Sequence, residues 1–208
     1  MNGSHKPERS GYSNVNSTIA YYEQNAEAYA ASTVTTDMFD VRQAFLSCVP
    51  TGSRILDVGC GSGRDLKAFS DAGYSAEGLE PSSTMARLSA SFSGCRVTCG
   101  RVQDLNSVAE FDGVWCCASL LHIVRSELPD VLGRILRVLK PQGVCFVSFK
   151  VGDGDREEIG RHFTDLQEPQ LKSLLEHCGG VILRSWNSPD RRPGRSEIWV
   201  NCIFRKPN

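Results

Sequence analysis

Hydrophobic and polar positions along this chain switch repeatedly between a strand period and a helix period. Ile55, Leu56 and Val58 make a short apolar run that breaks into Gly59-Cys-Gly-Ser-Gly63; Leu66, Phe69 and Ala72 then recur at helical spacing as far as Gly73. The alternation continues with a strand over Ala76–Glu80, a helix from about Ser82 to Ala90, and strands over Arg96–Cys99 and Phe111–Cys117. Leu128, Val131, Leu132, Ile135, Leu136 and Leu139 mark an amphipathic helix, and the turn Lys140-Pro-Gln-Gly143 leads into a strand over Val144–Phe149. The polar segment 150–162 reads as a surface loop. A helix then begins between Thr164 and Pro169 and runs to Gly179, and Val181–Trp186 and Glu197–Phe204 read as two closing strands. Ahead of all this, Ile19, Tyr22, Ala26 and Tyr29 share one face of a helix starting at Ser17, and a second helix covers Asp37–Cys48. Strands alternating with helices predict an α/β fold with a doubly wound, mostly parallel sheet. The last two strands, with no helix between them, predict an antiparallel hairpin at its edge.

Composition narrows the class. With 208 residues and 40% hydrophobic content, the chain supports one domain with a full core. The expected organisation is a polar, disordered tail over 1–16 and a single domain over 17–208, whose first two helices (17–48) lie over the core or its ligand. The tail lacks the apolar run of a signal peptide, and the longest mostly apolar stretch, Gly113–Val124, is too short to span a bilayer. A formal charge of −1 offers no basic field for nucleic acid or an anionic membrane. Nine cysteines without a C-x-x-C pair read as small core residues in a reducing cytoplasm, with neither a metal site nor a disulfide framework expected.

The glycine-rich segment carries the chemistry. A strand, a glycine turn and a helix N-terminus make a nucleotide-sized site at the carboxyl end of a parallel strand, and Ser62 with Asp65 reads as a capping box. A dinucleotide fingerprint would need glycine at position 64, where Arg64 stands. The spacing is instead G-x-G-x-G, with Asp57 two residues before the first glycine, and it resembles motif I of the class I S-adenosylmethionine (SAM) dependent methyltransferases. The resemblance covers about Tyr21 to Phe204. It includes the Lys140-Pro-Gln-Gly143 turn and implies a Rossmann-like sheet of seven strands whose last strand is antiparallel beside the fifth. Tyr21-Tyr22, Leu121-His122, Phe163-Thr164 and Arg192-Pro-Gly-Arg195 look like small bacterial methyltransferases related to tellurite-resistance enzymes.

The resemblance also implies a site. Asp57, Gly59, Cys60, Gly61 and Gly63 would hold the amino-acid end of SAM. Glu80 would accept hydrogen bonds from the ribose hydroxyls, a role suited to an anionic side chain. Pro81 and Ser82 would line the ribose and adenine rim, Asp104 would meet the adenine amino group, and Gln103 and Leu105 would edge and cover the purine. Cys116 and Ala118 would lie under the methionine portion. Tyr22 and Tyr29, with Tyr21, stand on a helix that often closes over the cofactor in this family, although tyrosines at helical spacing also serve as packing. Asp104 likewise has a plainer reading as a helix cap.

His122, after the fourth strand, is the candidate catalytic group: a general base with a near-neutral pKa, or a histidine that only shapes the wall. Arg161 with Arg156 and His162, and Arg192 and Arg195 with Arg191, are candidates for a cationic wall facing an anionic acceptor, or else solvated charge. Cys116-Cys117-Ala118-Ser119 replaces the N/D-P-P-Y/F of enzymes that methylate exocyclic amines of DNA bases, and no Pro-Cys pair is present. The expected activity is methyl transfer from SAM to a small molecule by direct displacement. A SAM-binding sensor or partner subunit without catalysis is the alternative, and a nicotinamide-dependent oxidoreductase is disfavoured by Arg64.

Overall fold

The apolar runs become the central strands of one sheet, and their period of two decides which helices they meet. The computed structural model describes residues 11–208, with side chains from residue 17 onward. In chain order the elements are α1 (Gly11–Thr33), α2 (Phe39–Leu46), β1 (Arg54–Val58), α3 (Arg64–Asp71), β2 (Ser75–Glu80), α4 (Ser83–Ser93), β3 (Arg96–Cys99), β4 (Phe111–Cys116), α5 (Leu128–Val138), β5 (Leu139–Lys150), β6 (Gly154–Glu158), β7 (Arg161–Asp165), α6 (Glu168–His177), β8 (Val181–Pro189) and β9 (Ile198–Arg205). Short 3-10 turns at Val102–Asp104, Leu120–His122 and Arg125–Glu127 complete the set. Of the tail expected over 1–16, the first ten residues lie outside the described residues, and α1 begins at Gly11.

Seven strands form the sheet in the order β3-β2-β1-β4-β5-β9-β8. β1, β2, β3, β4 and β5 run parallel, and β9 is antiparallel to both β5 and β8. The expected antiparallel last strand is present. As the resemblance implied, it lies beside β5, and β8 forms the edge, because β8–β9 pairing and β5–β9 pairing together leave β9 inside. Leu56, Val114, Cys145 and Cys202 face one side with Val131 and Ile135 of α5, while Ile55, Trp115, Phe146 and Ile203 face the other with Phe45 and Phe69. The four central strands β1, β4, β5 and β9 thus bury both faces, as a doubly wound sheet requires. Trp115 stacks on Phe146 with ring centroids 4.1 Å apart.

Two local expectations are corrected. The segment 150–162 is not a plain loop: β6 and β7 pair there as an antiparallel hairpin, with Arg156 opposite Phe163 and Glu157 opposite His162. Its polar residues hid the strands because only β7 buries a continuous run. Nor do Ser62 and Asp65 form a capping box. Gly63, in the left-handed region at φ 78°, caps α3 without a side-chain bond, and the Asp65 carboxylate is drawn away by Arg42, Arg64 and Trp115.

Candidate active site

β1, β2 and β4 are parallel, so their carboxyl ends open on the same edge of the sheet, and a cavity of about 240 Å³ lies there beneath α1. The glycine loop lets the backbone form its floor. Gly59, at φ 71°, donates its N–H to the Leu79 carbonyl at 2.7 Å, and a Cβ there would stand 2.4 Å from that of Ser119. Gly63 answers a different need, since its Cβ would meet the Ser89 carbonyl at 2.7 Å, between α3 and α4 and off the cavity wall.

Three buried carboxylates surround the loop, each in a different state. Glu80 ends β2 and accepts from the N–H groups of Gly61 and Ser82, both at 3.0 Å. Burial outweighs those bonds and pushes its pKa up to about 7. Asp57 lines the cavity at 3% exposure and has no hydrogen-bond partner among the described residues. Burial, reinforced by the charges of Asp65 and Glu80, holds it well above the usual carboxylate range. Asp65 is the opposite case. Despite burial its pKa is held below the ordinary value by Arg64 and Arg42, with Arg64 Nη2 at 2.6 Å, Arg42 Nη1 at 2.8 Å and Trp115 Nε1 at 3.1 Å. Asp65, through Trp115 and Arg42, thus ties the start of α3 to β4 and α2.

At the other end of the cavity stands His122. Its Nδ1 lies 2.6 Å from the His162 carbonyl, which can only accept, so Nδ1 carries the proton. Its Nε2, 2.8 Å from the Tyr22 hydroxyl, therefore accepts from Tyr22. Burial, with Arg161, His162 and Lys150 nearby, lowers its pKa to about 4, so the ring is neutral near pH 7. Burial and Tyr29 raise the Tyr22 phenol well above its ordinary value, keeping it a donor. Tyr29 meets the Tyr22 ring edge-on at 4.9 Å, so the two tyrosines pack on each other while both line the cavity.

The arginines separate by pairing. Arg192 is held by Asp190 (Nη2–Oδ2 2.5 Å), Arg156 by Asp165 and Glu158, Lys150 by Glu197 at 2.8 Å, and Arg191 lies 3.7 Å from Asp40. Arg161 has no ion-pair partner among the described residues. It stacks over Tyr21 at 4.4 Å and Phe163 at 5.1 Å, and its Nε is buried without a hydrogen bond. Arg195 lines the cavity mouth and is exposed.

Most of the residues singled out from the sequence meet around this cavity: Asp57, Gly59, Cys60, Gly61, Glu80, Pro81, Ser82, Gln103, Tyr22, Tyr29, His122, Arg161, Arg192 and Arg195. Four do not. Besides Gly63, Asp104 is exposed and accepts from the Arg101 N–H at 3.2 Å, capping its short turn. Leu105 packs against the core, and Cys116 is fully buried within it. Cys117 and Ala118 line the cavity where Cys116 was expected. Ala118 takes a left-handed φ of 52°, with its N–H held by Ser148 Oγ at 2.8 Å. Ser148, Lys150 and Ser119 were missed, and only the tertiary arrangement places them here; Glu23, also missed, stands outside the lining and bonds to Ser82.

Comparison with known proteins agrees with this geometry. Residues 55–143 match a methyltransferase domain family. The ubiquinone biosynthesis O-methyltransferase of Rhodopseudomonas palustris is 31% identical over 115 residues, 53% of this chain and 44% of that protein, so the match spans less than half of that relative's length. Its counterpart in Xanthomonas axonopodis pv. citri is 27% identical over 192 residues, covering 76% of this chain and 78% of that protein. Among solved structures, Burkholderia thailandensis 1,6-didemethyltoxoflavin-N1-methyltransferase superposes with TM-score 0.81 at 21% identity, over 99% of this chain and 94% of that one. A TehB-like SAM-dependent methyltransferase from Corynebacterium glutamicum gives 0.68 at 21% identity, over 90% and 97%. The sheet order, the glycine loop and the matched domain agree: the chain has the fold of the class I SAM-dependent methyltransferases, and its residues 55–143 are similar to a methyltransferase domain.

Proposed function

We propose that this protein transfers a methyl group from SAM to a small, anionic acceptor by direct displacement. The observation that carries the reading is the convergence of Asp57 and Glu80 on one cavity, each suited to a different part of the cofactor. Asp57 is a buried carboxylate without a partner and fits an ammonium group, which would supply the missing charge and hydrogen bonds. Glu80 has acceptor capacity left after Gly61 and Ser82 and fits a pair of vicinal hydroxyls. Leu79, Met85 and Val102 offer an apolar slot for a purine edge, with Gln103 beside it.

Bound SAM supplies a sulfonium-activated methyl, so the protein's main contribution is to align an acceptor and exclude water. Methyl transfer leaves the thioether on the cofactor, and any proton on the acceptor must depart. Tyr22 and His122 offer a route: the acceptor's proton passes to the Tyr22 oxygen as the Tyr22 proton passes to His122 Nε2. An ionised acceptor needs no such step. Arg161, unpaired between two aromatic rings, supports an anionic group on the acceptor, with Arg195 at the mouth; Arg192 is already matched by Asp190.

Nine free cysteines suit a reducing compartment, and we assign the protein to the cytoplasm. No helix among the described residues is long and apolar enough to cross a membrane. The organisation that best fits the cavity is one domain whose helices over 17–48 form a lid. The second reading, a SAM-binding sensor, is favoured by one observation: both ring nitrogens of His122 are already engaged.

Calorimetric titration with SAM and S-adenosylhomocysteine tests the assignment. Saturable binding that Asp57→Ala loses is expected, and absence of binding by folded protein refutes it. Tight binding without turnover across anionic acceptors selects the sensor.

A further inference from the structure

We propose that Glu23 is a positioning residue that fastens α1 to the nucleoside end of the cavity and thereby sets Tyr22 against His122; this rests on reading the cavity as a methyl-transfer site. No motif marks Glu23. Its carboxylate nevertheless accepts four hydrogen bonds from three consecutive residues: Ser82 Oγ at 2.6 Å, Ser83 Oγ at 2.9 Å, and Thr84 Oγ1 and N–H at 2.6 and 3.1 Å. Those residues open α4, where a negative charge is also favoured by the helix dipole. The bonds hold its pKa down to about 2, so the contact stays charged across the working range of pH.

The contact leads directly to the cofactor carboxylate. Ser82, which donates its hydroxyl to Glu23, donates its N–H to Glu80 at 3.0 Å. Two hydrogen bonds through a single serine therefore link Glu80 to α1. Glu23 and Tyr22 are consecutive in a helix and so point about 100° apart. One grips α4 and the other grips His122, which bracket the cavity from opposite sides. A second brace holds the same helix to β7: the His162 N–H donates to Thr18 Oγ1 at 2.9 Å, and Arg161 stacks on Tyr21. The brace at β7 fixes the carbonyl that orients His122, while Glu23 fixes the hydroxyl that faces it.

The test reads His122 directly in full-length protein labelled with 15N-histidine, its signals assigned against His122→Gln. In the parent the ring is expected as the neutral Nδ1–H tautomer down to about pH 4. Glu23→Ala should let Tyr22 swing away and water enter, raising the His122 titration by at least about one pH unit toward the ordinary imidazole range. The Ser83→Ala/Thr84→Val pair leaves Glu23 in place but removes two of its donors, and should produce the same shift if Glu23→Ala fails to fold. In a Tyr22→Phe background neither change should add to the shift. Spectra unchanged in both variants, or an equal further shift without the Tyr22 hydroxyl, overturn the proposal. S-adenosylhomocysteine titrated into the same samples is read separately. Parent protein that fails to bind it overturns the methyl-transfer reading, a failure distinct from that of the Glu23 contact.

Discussion

Glu80→Gln is expected to make the protein more stable at neutral and alkaline pH while impairing its cofactor site. Folded Glu80 titrates at about 7 against an ordinary 4.5, which corresponds to about 3 kcal/mol for holding it ionised in the fold. Between those two values the unfolded chain has released this proton and the folded chain still holds it, so stability falls as pH rises. The penalty is absent well below pH 4.5, grows up to about pH 7, and stays constant above that. Glutamine removes it but keeps only one acceptor oxygen for the two N–H groups of Gly61 and Ser82, which returns about 1–3 kcal/mol. The variant should therefore gain up to about 2 kcal/mol at pH 8 and lose this gain, or fall below the parent, at pH 5. Binding should move the opposite way. A hydrogen bond to a charged acceptor is worth about 1.5–3 kcal/mol, so losing one should weaken S-adenosylhomocysteine binding about tenfold to about 150-fold. Urea titrations of both proteins at pH 5 and pH 8, with calorimetry at pH 8, check the two halves. A stability difference that does not change with pH, or unchanged binding, refutes the reasoning.

Other consequences follow from the same geometry. Asp65→Ala leaves Arg42 and Arg64 facing each other in a buried setting and the Trp115 N–H unsatisfied; it should cost about 3–5 kcal/mol in a denaturant titration, and a cost below 1 kcal/mol would contradict the pairing. Gly59→Ala forces a side chain into a left-handed turn against Ser119, so cofactor binding should disappear while the far-UV spectrum is retained; normal binding would show that the loop is not the site's floor. Because the His122 pKa is lowered to about 4, turnover should show no rate limb from this residue between about pH 5 and 8, and a limb near 6.5 that vanishes in His122→Asn would reverse that assignment. Arg161→Gln should raise the KM of an anionic acceptor at least about tenfold with little effect on S-adenosylhomocysteine affinity, and equal losses in both would detach it from the acceptor.

The sequence by itself determined the sheet and one half of its site. Apolar runs with period two, broken by glycine and followed by helical spacing, state where strands end, and in a parallel sheet the ends of strands are where ligands bind. Asp57, Gly59, Gly61 and Glu80 were legible because strand, loop and carboxylate lie close together in the chain. The remainder depends on contacts between distant segments. Glu23 reaches Ser82 across 59 positions and Tyr22 reaches His122 across 100, and no periodicity encodes such pairings. The β6–β7 hairpin was hidden because its pairing, more than its polar composition, makes it a sheet. Charge was also undecided locally. Arg161 and Arg192 look alike in the sequence, and only the fold gives Arg192 the Asp190 carboxylate while stacking Arg161 between Tyr21 and Phe163. Whether a buried charge is spent within the fold or left for a ligand depends on which partners the chain brings within reach.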